Sequence, residues 1–304
     1  MNLISGGLGF IGNELARQLS SDSQVVLLDN RNRTAPRIED LTHLPVCEVD
    51  ITVREATAKV IHELKPRVVF HLAAIHYIPE CNANPERTLR VNVEATLGLL
   101  NACSAAGVKH FLFASSGAVY ADAPEPLNES SAVSPVDIYG WSKWFAEELC
   151  RWHASQTGLR TTICRLFNNY GPRETNRHII PEVFHQLKAG NRLLLGNTAP
   201  RRDYIHTSDC ARALRFLAKL PPESVRAVNV ASGHHASVDD LVKMLGEILG
   251  RKLEIVTDAS RFRKADKLVQ VADISLLEKL TGWRPEVSLR AGLTDLARFE
   301  GLLE

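Results

Sequence analysis

The chain has 304 residues, of which 45% are hydrophobic and 23% are charged. These values exclude an intrinsically disordered chain, which lacks the apolar residues needed to offset the entropy of ordering. Lysine and arginine total 36 against 35 acidic residues, and the net charge of +1 provides no general attraction to nucleic acid or to an anionic membrane. We therefore expect neither of these partners.

The sequence has no apolar run of the ~18 residues that a membrane-spanning helix needs. The strand-like segment 2–5 begins almost at Met1, so we expect no signal peptide and a cytoplasmic location. The six cysteines are widely spaced and form no Cys-x-x-Cys pair, a pattern that predicts reduced thiols and no metal site.

Short apolar runs alternate with helical patterns in the first half of the chain. The apolar runs predict buried strands at residues 3–5, 25–29, 46–50, 68–71, 111–115 and 160–164. The segments between them predict helices at residues 10–19, 54–64, 86–106 and 138–155. Near-continuous apolar strands separated by helices are typical of an α/β fold, a parallel sheet with helices on both faces.

The pattern becomes irregular after about residue 170. It predicts helices at 181–189, 209–220 and 238–249, and strands at 193–195 and 228–230. We interpret this half as a smaller α+β domain that returns one helix–strand pair to the first sheet. The expected boundaries are 1–168 with about 205–231 for the first domain, and 169–204 with 232–304 for the second.

A glycine cluster, Gly6-Gly7-Leu8-Gly9-Phe10-Ile11-Gly12, lies between the first strand and the first helix. It satisfies Gly-x-Gly-x-x-Gly from Gly7 and Gly-x-x-Gly-x-x-Gly from Gly6. Such glycines make a tight turn, let the backbone approach a pyrophosphate, and let helix and strand pack closely. The helix N-terminus then presents free N–H groups to phosphate oxygens, so the segment predicts a dinucleotide site of Rossmann type.

Acidic residues end the next two strands. Asp29 lies ~20 residues after the glycines, where a carboxylate can accept hydrogen bonds from ribose hydroxyls and repel a 2′-phosphate. This position favours NAD over NADP, although Arg31 and Arg33 follow closely and weaken the preference. Asp50 either caps a helix or contacts the adenine, and the sequence does not decide between the two roles.

Three residues form a candidate acid–base group. Tyr139 and Lys143 are four residues apart and share one helix face, and Ser116 ends the preceding strand. An ammonium ~5 Å from a phenolate at an effective dielectric of ~20 contributes ~3 kcal/mol, and a positive nicotinamide adds a similar amount. Together they would lower the phenol pKa of ~10 toward neutrality, with Ser116 binding the substrate oxygen.

Taken together, these ordered motifs resemble the extended short-chain dehydrogenases/reductases of the NAD-dependent nucleotide-sugar epimerase/dehydratase family, and among them the UDP-glucose 4-epimerases. The resemblance covers essentially the whole chain and implies a Rossmann doubly wound parallel sheet with a smaller C-terminal α+β substrate domain. Its matching segments are 6–12, 29–30, 50–51, 71–74, 115–116, 139–143, 165–172, 202–206 and 282–285.

The resemblance implies a role for each matching residue. Tyr139 is the expected acid–base group, Lys143 holds the nicotinamide ribose, and Ser116 binds the reacting hydroxyl. The implied NAD-binding residues are Gly6, Gly9, Phe10, Ile11, Gly12, Asp29, Asn30, Asp50, Ile51, Leu72, Ala73, Ala74, Tyr139 and Lys143. The implied substrate-binding residues are Ser116, Asn168, His178, Ile179, Leu195, Arg202, Arg263 and Asp266.

Several of the substrate residues have a specific expected contact. Asn168 and Arg202 would contact the diphosphate, Leu195 would lie near the nucleobase, and His178 and Ile179 would lie beside the substrate. Arg263 and Asp266 keep the family's Arg-x-x-Asp spacing for phosphate and ribose, but Lys264-Ala265 replaces the usual Pro-Gly between them.

The resemblance also bears on the reaction. A 4,6-dehydratase of this family has Asp-Glu directly after the reacting Ser/Thr, and the decarboxylases have Ser/Thr-x-Glu; here Gly117 and Ala118 follow Ser116. The segment 116–120 resembles the corresponding segment of the 4-epimerases. This resemblance implies epimerisation of a nucleotide-diphosphate sugar, with UDP favoured over other nucleotides. A nucleotide-sugar ketoreductase, a dehydratase or decarboxylase, and a non-catalytic NAD-sensing protein remain alternatives.

A homodimer is the family expectation, formed by the helices at 86–106 and 138–155. The apolar residues Leu89, Val93, Leu97 and Leu100 permit such an interface, and packing of the helix onto the sheet explains them equally well.

Overall fold

The first part of the chain forms one parallel sheet. The computed structural model describes residues 1–30, 41–124, 126–221, 225–262 and 267–304. Seven strands make up this sheet in the order β10-β6-β5-β4-β1-β2-β3, and every pairing is parallel. Their bounds are β1 Asn2–Ser5, β2 Val25–Asp29, β3 Val46–Glu48, β4 Val68–His71, β5 His110–Ser116, β6 Thr161–Leu166 and β10 Val225–Val230.

Helices cover both faces of this sheet. On one face, α1 (Phe10–Ser20) packs against α8 (Thr207–Ala218), and the buried side chains include Ile4, Leu27 and Leu112. On the other face lie α2 (Arg54–Leu64), α5 (Ala95–Ala105) and α6 (Ile138–Thr157), over the alternate side chains of the same strands. Most residues of these strands are apolar because both faces of the sheet are covered, and this arrangement confirms the predicted doubly wound α/β fold.

The helix predicted at 86–106 is continuous but not uniform. It consists of α4 (Pro85–Leu89), a π-helical segment at Arg90–Glu94, and α5. Within the π segment, the buried Asn92 side chain accepts a hydrogen bond from the Ile75 amide and donates to the Ile75 carbonyl and to the Ser142 hydroxyl, each at 2.9 Å. The irregular turn therefore ties the loop after β4 to the start of α6.

The remaining strands form smaller sheets above the carboxyl ends of β1, β4 and β5. One sheet contains β7 (Asn168–Tyr170), β9 (Arg201–His206), β11 (His235–Ser237) and β13 (Val269–Gln270), and a strand pair contains β8 (Arg192–Leu195) and β12 (Glu254–Thr257). The other helices are α3 Ile78–Ala83, α7 Ile179–Leu187, α9 Val238–Leu249, α10 Ser275–Thr281 and α11 Leu289–Phe299. The C-terminal part is thus the predicted smaller α+β domain.

Two further features bear on the sequence expectations. All six cysteines lie among the described residues as free thiols, five of them buried. Within the ranges that the model describes, no helix has both the length and the apolarity that crossing a membrane requires.

Candidate functional site

A cavity of about 780 Å³ lies at the carboxyl edge of the large sheet, between this edge and the smaller sheets. Ligands of open parallel sheets bind at this edge, where the chain leaves successive strands in opposite directions. All predicted site residues that the model describes line this one cavity. Arg263 and Asp266 lie outside the described residues.

The glycine loop forms one wall of the cavity. Gly6, Gly9 and Gly12 line it, whereas Gly7 packs against Leu27 on the protein side. Gly6 has φ +73°, and a methyl group there would lie 2.7 Å from the backbone nitrogen of Ala73. A methyl group at Gly12 would collide with the Gly6 carbonyl. The close passage of β1, the loop and α1 therefore requires glycine at both positions.

This wall fits the pyrophosphate and ribose of a dinucleotide. Helix α1 begins at Phe10 with Gly9 as its N-cap and has no side-chain cap, so its first N–H groups face the cavity. The Asp29 carboxylate, at the end of β2, accepts a hydrogen bond from the Leu8 amide at 3.0 Å and borders the same space. The arrangement joins anion-binding amides to a carboxylate that can bind hydroxyls.

Asp50 stabilises a local turn and does not cap the following helix, because the N-cap of α2 is Val53 and has no side-chain cap. Its carboxylate accepts hydrogen bonds from the Thr52 amide at 2.9 Å and the Thr52 hydroxyl at 2.7 Å, in the turn before α2. Burial acts to raise the pKa of Asp50, but the hydrogen bonds from Thr52 and Asn30 outweigh it and lower the pKa. Asp50 and Ile51 also border the cavity, so a contact with a bound adenine is compatible with this turn.

The loop after β4 is anchored from below by a buried histidine. His71 bonds the Ser5 hydroxyl through Nδ1 at 2.6 Å and the Thr96 hydroxyl through Nε2 at 2.9 Å. Burial lowers the pKa of His71 to about 3, so the ring is neutral. It is a packing residue beneath Leu72, Ala73 and Ala74, which line the cavity.

The start of α6 carries Tyr139 and Lys143 into the cavity. Asp137 caps the helix by accepting a hydrogen bond from the Gly140 amide at 2.8 Å. A methyl group at Gly140 would lie 2.9 Å from the Ala118 carbonyl, so glycine lets the helix approach the loop after β5. This approach brings the Tyr139 phenol within hydrogen-bond reach of Ser116 at the end of β5.

Lys143 is 3% exposed, and its Nζ donates to the Ala114 carbonyl at 2.8 Å. The same nitrogen lies 5.9 Å from the centre of the Tyr139 ring and 5.1 Å from that of Phe113. Burial lowers the pKa of Lys143 to about 8, while the charge of Glu147 acts to raise it.

The expectation that Lys143 and a bound nicotinamide together lower the phenol pKa concerns the NAD-bound protein and stays a prediction. Burial raises the pKa of the Tyr139 phenol above its ordinary range, and the hydrogen bond from Ser116 opposes this effect without overcoming it. Spacing in the sequence predicts which residues meet, but desolvation depends on how closely the tertiary structure surrounds them.

Two residues that sequence reasoning missed hold the loop after Ser116. Lys267 donates to the carbonyl oxygens of Ala118, at 3.2 Å, and of Tyr120. Gln270, in β13, donates to the Gly117 carbonyl at 2.6 Å. Some 150 residues separate the two partners in the chain, so no local pattern indicates the contact.

The predicted substrate residues lie on the opposite wall. Asn168, in β7, donates to the Asp203 carbonyl at 3.1 Å, and Arg202 lies in β9. Leu195 ends β8 and is buried. His178 is the N-cap position of α7, and Ile179 is its first residue. The sequence analysis did not single out His76, Tyr77 and Glu174, which line the cavity beside His178.

Comparisons with known proteins agree with this geometry. The model of the NAD dependent epimerase/dehydratase family matches residues 2–231. A GDP-6-deoxy-D-mannose reductase of Pseudomonas aeruginosa is 36% identical over 245 residues, 76% of this chain and 80% of the relative. A UDP-glucose 4-epimerase of Azospirillum brasilense is 31% identical over 306 residues, 93% of this chain and 87% of the relative.

Among solved structures, the Thermus thermophilus UDP-glucose 4-epimerase in complex with NAD superimposes with a TM-score of 0.89 at 26% sequence identity. The match covers 99% of this chain and 98% of that chain. The glycine-lined wall, the Ser116–Tyr139–Lys143 group and these matches lead to one assignment: the chain belongs to the NAD-dependent epimerase/dehydratase family.

Proposed function

We propose that the protein is an NAD-dependent epimerase that inverts C4 of a nucleotide-diphosphate sugar, with UDP as the nucleotide. The observation that carries this proposal is the placement of Ser116, Tyr139 and Lys143 in the same cavity as the glycine loop. The epimerase relatives at 26–31% identity support the choice of reaction and of nucleotide.

In this account Tyr139 transfers the proton. Its phenolate oxygen accepts the proton of the C4 hydroxyl and returns it after the sugar has turned over. Ser116 donates a hydrogen bond to the same sugar oxygen. When bound, NAD would supply the positively charged ring needed to take up the C4 hydride and give it back on the opposite face, and the reaction would involve no net redox change. Lys143 holds a second positive charge near the phenol and is placed to hydrogen-bond a ribose hydroxyl.

The loop after Ser116 argues against elimination or decarboxylation. Gly117 and Ala118 occupy the positions at which an additional acid or base would be needed, and neither side chain can transfer a proton. The Gly117 and Ala118 carbonyls instead accept hydrogen bonds from Gln270 and Lys267. The loop therefore serves to position Ser116.

Epimerisation requires that the 4-keto sugar turn over while the nucleotide stays bound. We propose that affinity is concentrated on the nucleotide, through Asn168 and Arg202 at the diphosphate and Leu195 at the base. Arg263 and Asp266 remain proposed contacts of the phosphate and ribose. His178 and Ile179 would border the sugar at the start of α7.

A ketoreductase is the second candidate. The reductase relative is 36% identical, above the 31% of the epimerase relative, although it covers less of the chain. A reductase would consume one reduced nicotinamide for each turnover, whereas an epimerase consumes none. A non-catalytic NAD-sensing role is disfavoured because Ser116, Tyr139 and Lys143 are all present.

We further propose the division into an NAD-binding part, residues 1–168 with about 205–231, and a nucleotide-sugar-binding part, 169–204 with 232–304. The return of α8 and β10 to the large sheet supports this division. The free thiols suit a reducing compartment, and we propose a cytoplasmic location.

We propose a homodimer that pairs α6 and the helix at 85–105 with their counterparts. Leu100 is not available for this contact because it is buried against the sheet, whereas Leu89, Val93 and Leu97 are half-buried. Helix α6 supplies an apolar stripe that the sequence analysis did not single out: Trp141, Phe145 and Trp152 are 42%, 43% and 54% exposed. Their spacing of four and seven residues places them on one helix face.

The reaction is tested by incubating the purified holoprotein with UDP-, dTDP-, GDP- and CDP-sugars and recording NMR spectra of the anomeric and C4 protons. We expect a C4 epimer to accumulate from a UDP-sugar without added reductant. Reductase activity would appear instead as stoichiometric loss of the absorbance of reduced nicotinamide on addition of a keto sugar, and this result would overturn the epimerase proposal.

A further inference from the structure

A histidine–carboxylate cluster lies at the rim of the cavity, apart from the acid–base group. His76 follows β4, whereas Glu174 and His178 lie in the segment between β7 and α7. One ligand atom from each of the three side chains lies within 4.8 Å of the other two. Two segments about 100 residues apart in the chain therefore bring two imidazoles and a carboxylate to one point.

Ring contacts and hydrogen bonds hold the side chains of this cluster in place. The His76 and His178 rings are stacked, with centroids 5.8 Å apart and an interplanar angle of 28°. Asn176 joins the two segments: its backbone amide donates to the Glu174 carboxylate at 3.0 Å, and its side-chain nitrogen lies 2.9 Å from His76 Nε2. Tyr77 packs edge-on against His178 at 5.8 Å.

From this geometry we propose that His76, Glu174 and His178 bind a divalent first-row transition metal, with Zn²⁺ as the representative ion. Two histidines and one glutamate are a ligand set that binds Zn²⁺ tetrahedrally while leaving one position open. Ligand atoms ~2.0–2.2 Å from an ion lie ~3.4 Å from one another in that geometry. The three side chains therefore need to close by little more than an ångström, and all three line the cavity.

The proposal is tested with untagged full-length protein by competition for Zn²⁺ against a chromophoric chelator of micromolar affinity. We expect the protein to take up one equivalent. We expect His76→Ala, Glu174→Gln and His178→Ala each to weaken binding by more than ~100-fold, since loss of a residue that only orients a ligand already costs 10–100-fold. His185→Ala, an exposed histidine of α7, is the matched control and should bind as the parent does.

A second measurement separates loss of the site from loss of the fold. Without metal, the three variants should unfold at the parent's temperature to within a few degrees, and added Zn²⁺ should raise the midpoint of the parent but not of the variants. Co²⁺ should give the weak visible bands of nitrogen and oxygen ligation. Uptake that persists in all three variants, or an intense thiolate–cobalt band, would overturn the proposal.

Discussion

Burial shifts the pKa values of Tyr139 and Lys143 in opposite directions. Enclosure raises the phenol pKa and lowers the ammonium pKa to about 8, so each group is pushed toward its neutral form. The proposed reaction needs the charged form of both. Burying these two groups in their charged forms therefore lowers the free energy of unfolding, as is common where catalysis requires desolvated charge.

This conflict predicts that Lys143→Met stabilises the protein at pH 7. Below pH 8 the ammonium is charged in both the folded and unfolded states, and its burial lowers the free energy of unfolding by ~3 kcal/mol. Losing the hydrogen bond to Ala114 offsets about 1 kcal/mol, so we expect a net gain of about 2 kcal/mol. Urea denaturation at several pH values measures this gain.

The pH dependence has a defined sign. Between pH 8 and about 10.4 the folded parent loses the Lys143 proton before the unfolded chain does. The free energy of unfolding of the parent therefore rises with pH, and its difference from that of the Lys143→Met variant becomes smaller. Lys219→Met, at an exposed lysine, should change stability by less than ~0.5 kcal/mol at every pH. A Lys143→Met variant less stable than the parent at pH 7 would contradict this reading.

At the scale of elements, regular segments were predictable and junctions were not. The predicted helices at 54–64 and 238–249 and the predicted strand at 68–71 coincide with α2, α9 and β4, because each has a full apolar period and clear ends. The π segment at 90–94 was missed because it depends on the Asn92 contacts with distant residues. Strand β9, with two arginines and an aspartate in its six residues, has no apolar pattern to reveal it.

The same limit applies to the candidate site. Local motifs predicted the glycine loop, Ser116, Tyr139 and Lys143, and the structure places them around one cavity. Lys267 and Gln270 could not be predicted, because their hydrogen bonds to the loop after β5 arise only when the second domain folds over the first. Contacts of this kind set the position of a catalytic side chain without leaving a local signature.

The hydrogen bond between β13 and the loop after Ser116 leads to a kinetic prediction. Gln270→Ala removes a 2.6 Å hydrogen bond to the Gly117 carbonyl. If losing this bond raises the activation free energy by ~1 kcal/mol, kcat falls ~5-fold. NAD affinity should not change. Gln156→Ala, at an exposed glutamine of α6, is the control. Steady-state kinetics with the active sugar nucleotide provide the measurement, and an unchanged kcat for Gln270→Ala would show that the contact does not position Ser116.

For the molecule as a whole, the large sheet and the smaller sheets form opposite sides of the cavity. The large sheet presents amides and carboxylates at its edge, and the smaller sheets close over that edge with polar and apolar side chains. The exposed apolar stripe on α6 is not part of the cavity lining. A second copy that covers this stripe therefore leaves the cavity accessible. Trp141 and Phe145, with ring centres 5.5 Å apart, form the densest part of the stripe.

The dimer proposal is tested by placing a charge in this stripe. Phe145→Glu should shift the sedimentation coefficient from that of a dimer to that of a monomer, because a carboxylate at the centre of an apolar interface would be buried without a partner. Phe216→Glu, on the 38%-exposed phenylalanine of α8, is the matched control and should remain dimeric. A parent protein that sediments as a monomer would refute the proposed assembly.

The central claim is that Tyr139 reversibly deprotonates a sugar hydroxyl while hydride leaves and returns to the same C4 carbon. The most direct test incubates the holoprotein with UDP-glucose deuterated at C4 and follows the label by NMR. We predict that the C4 epimer forms with deuterium retained at C4 and without release of reduced nicotinamide, and that Tyr139→Phe slows its formation by ~10²–10⁴-fold. Loss of the label to solvent, or full activity of Tyr139→Phe, would contradict the account.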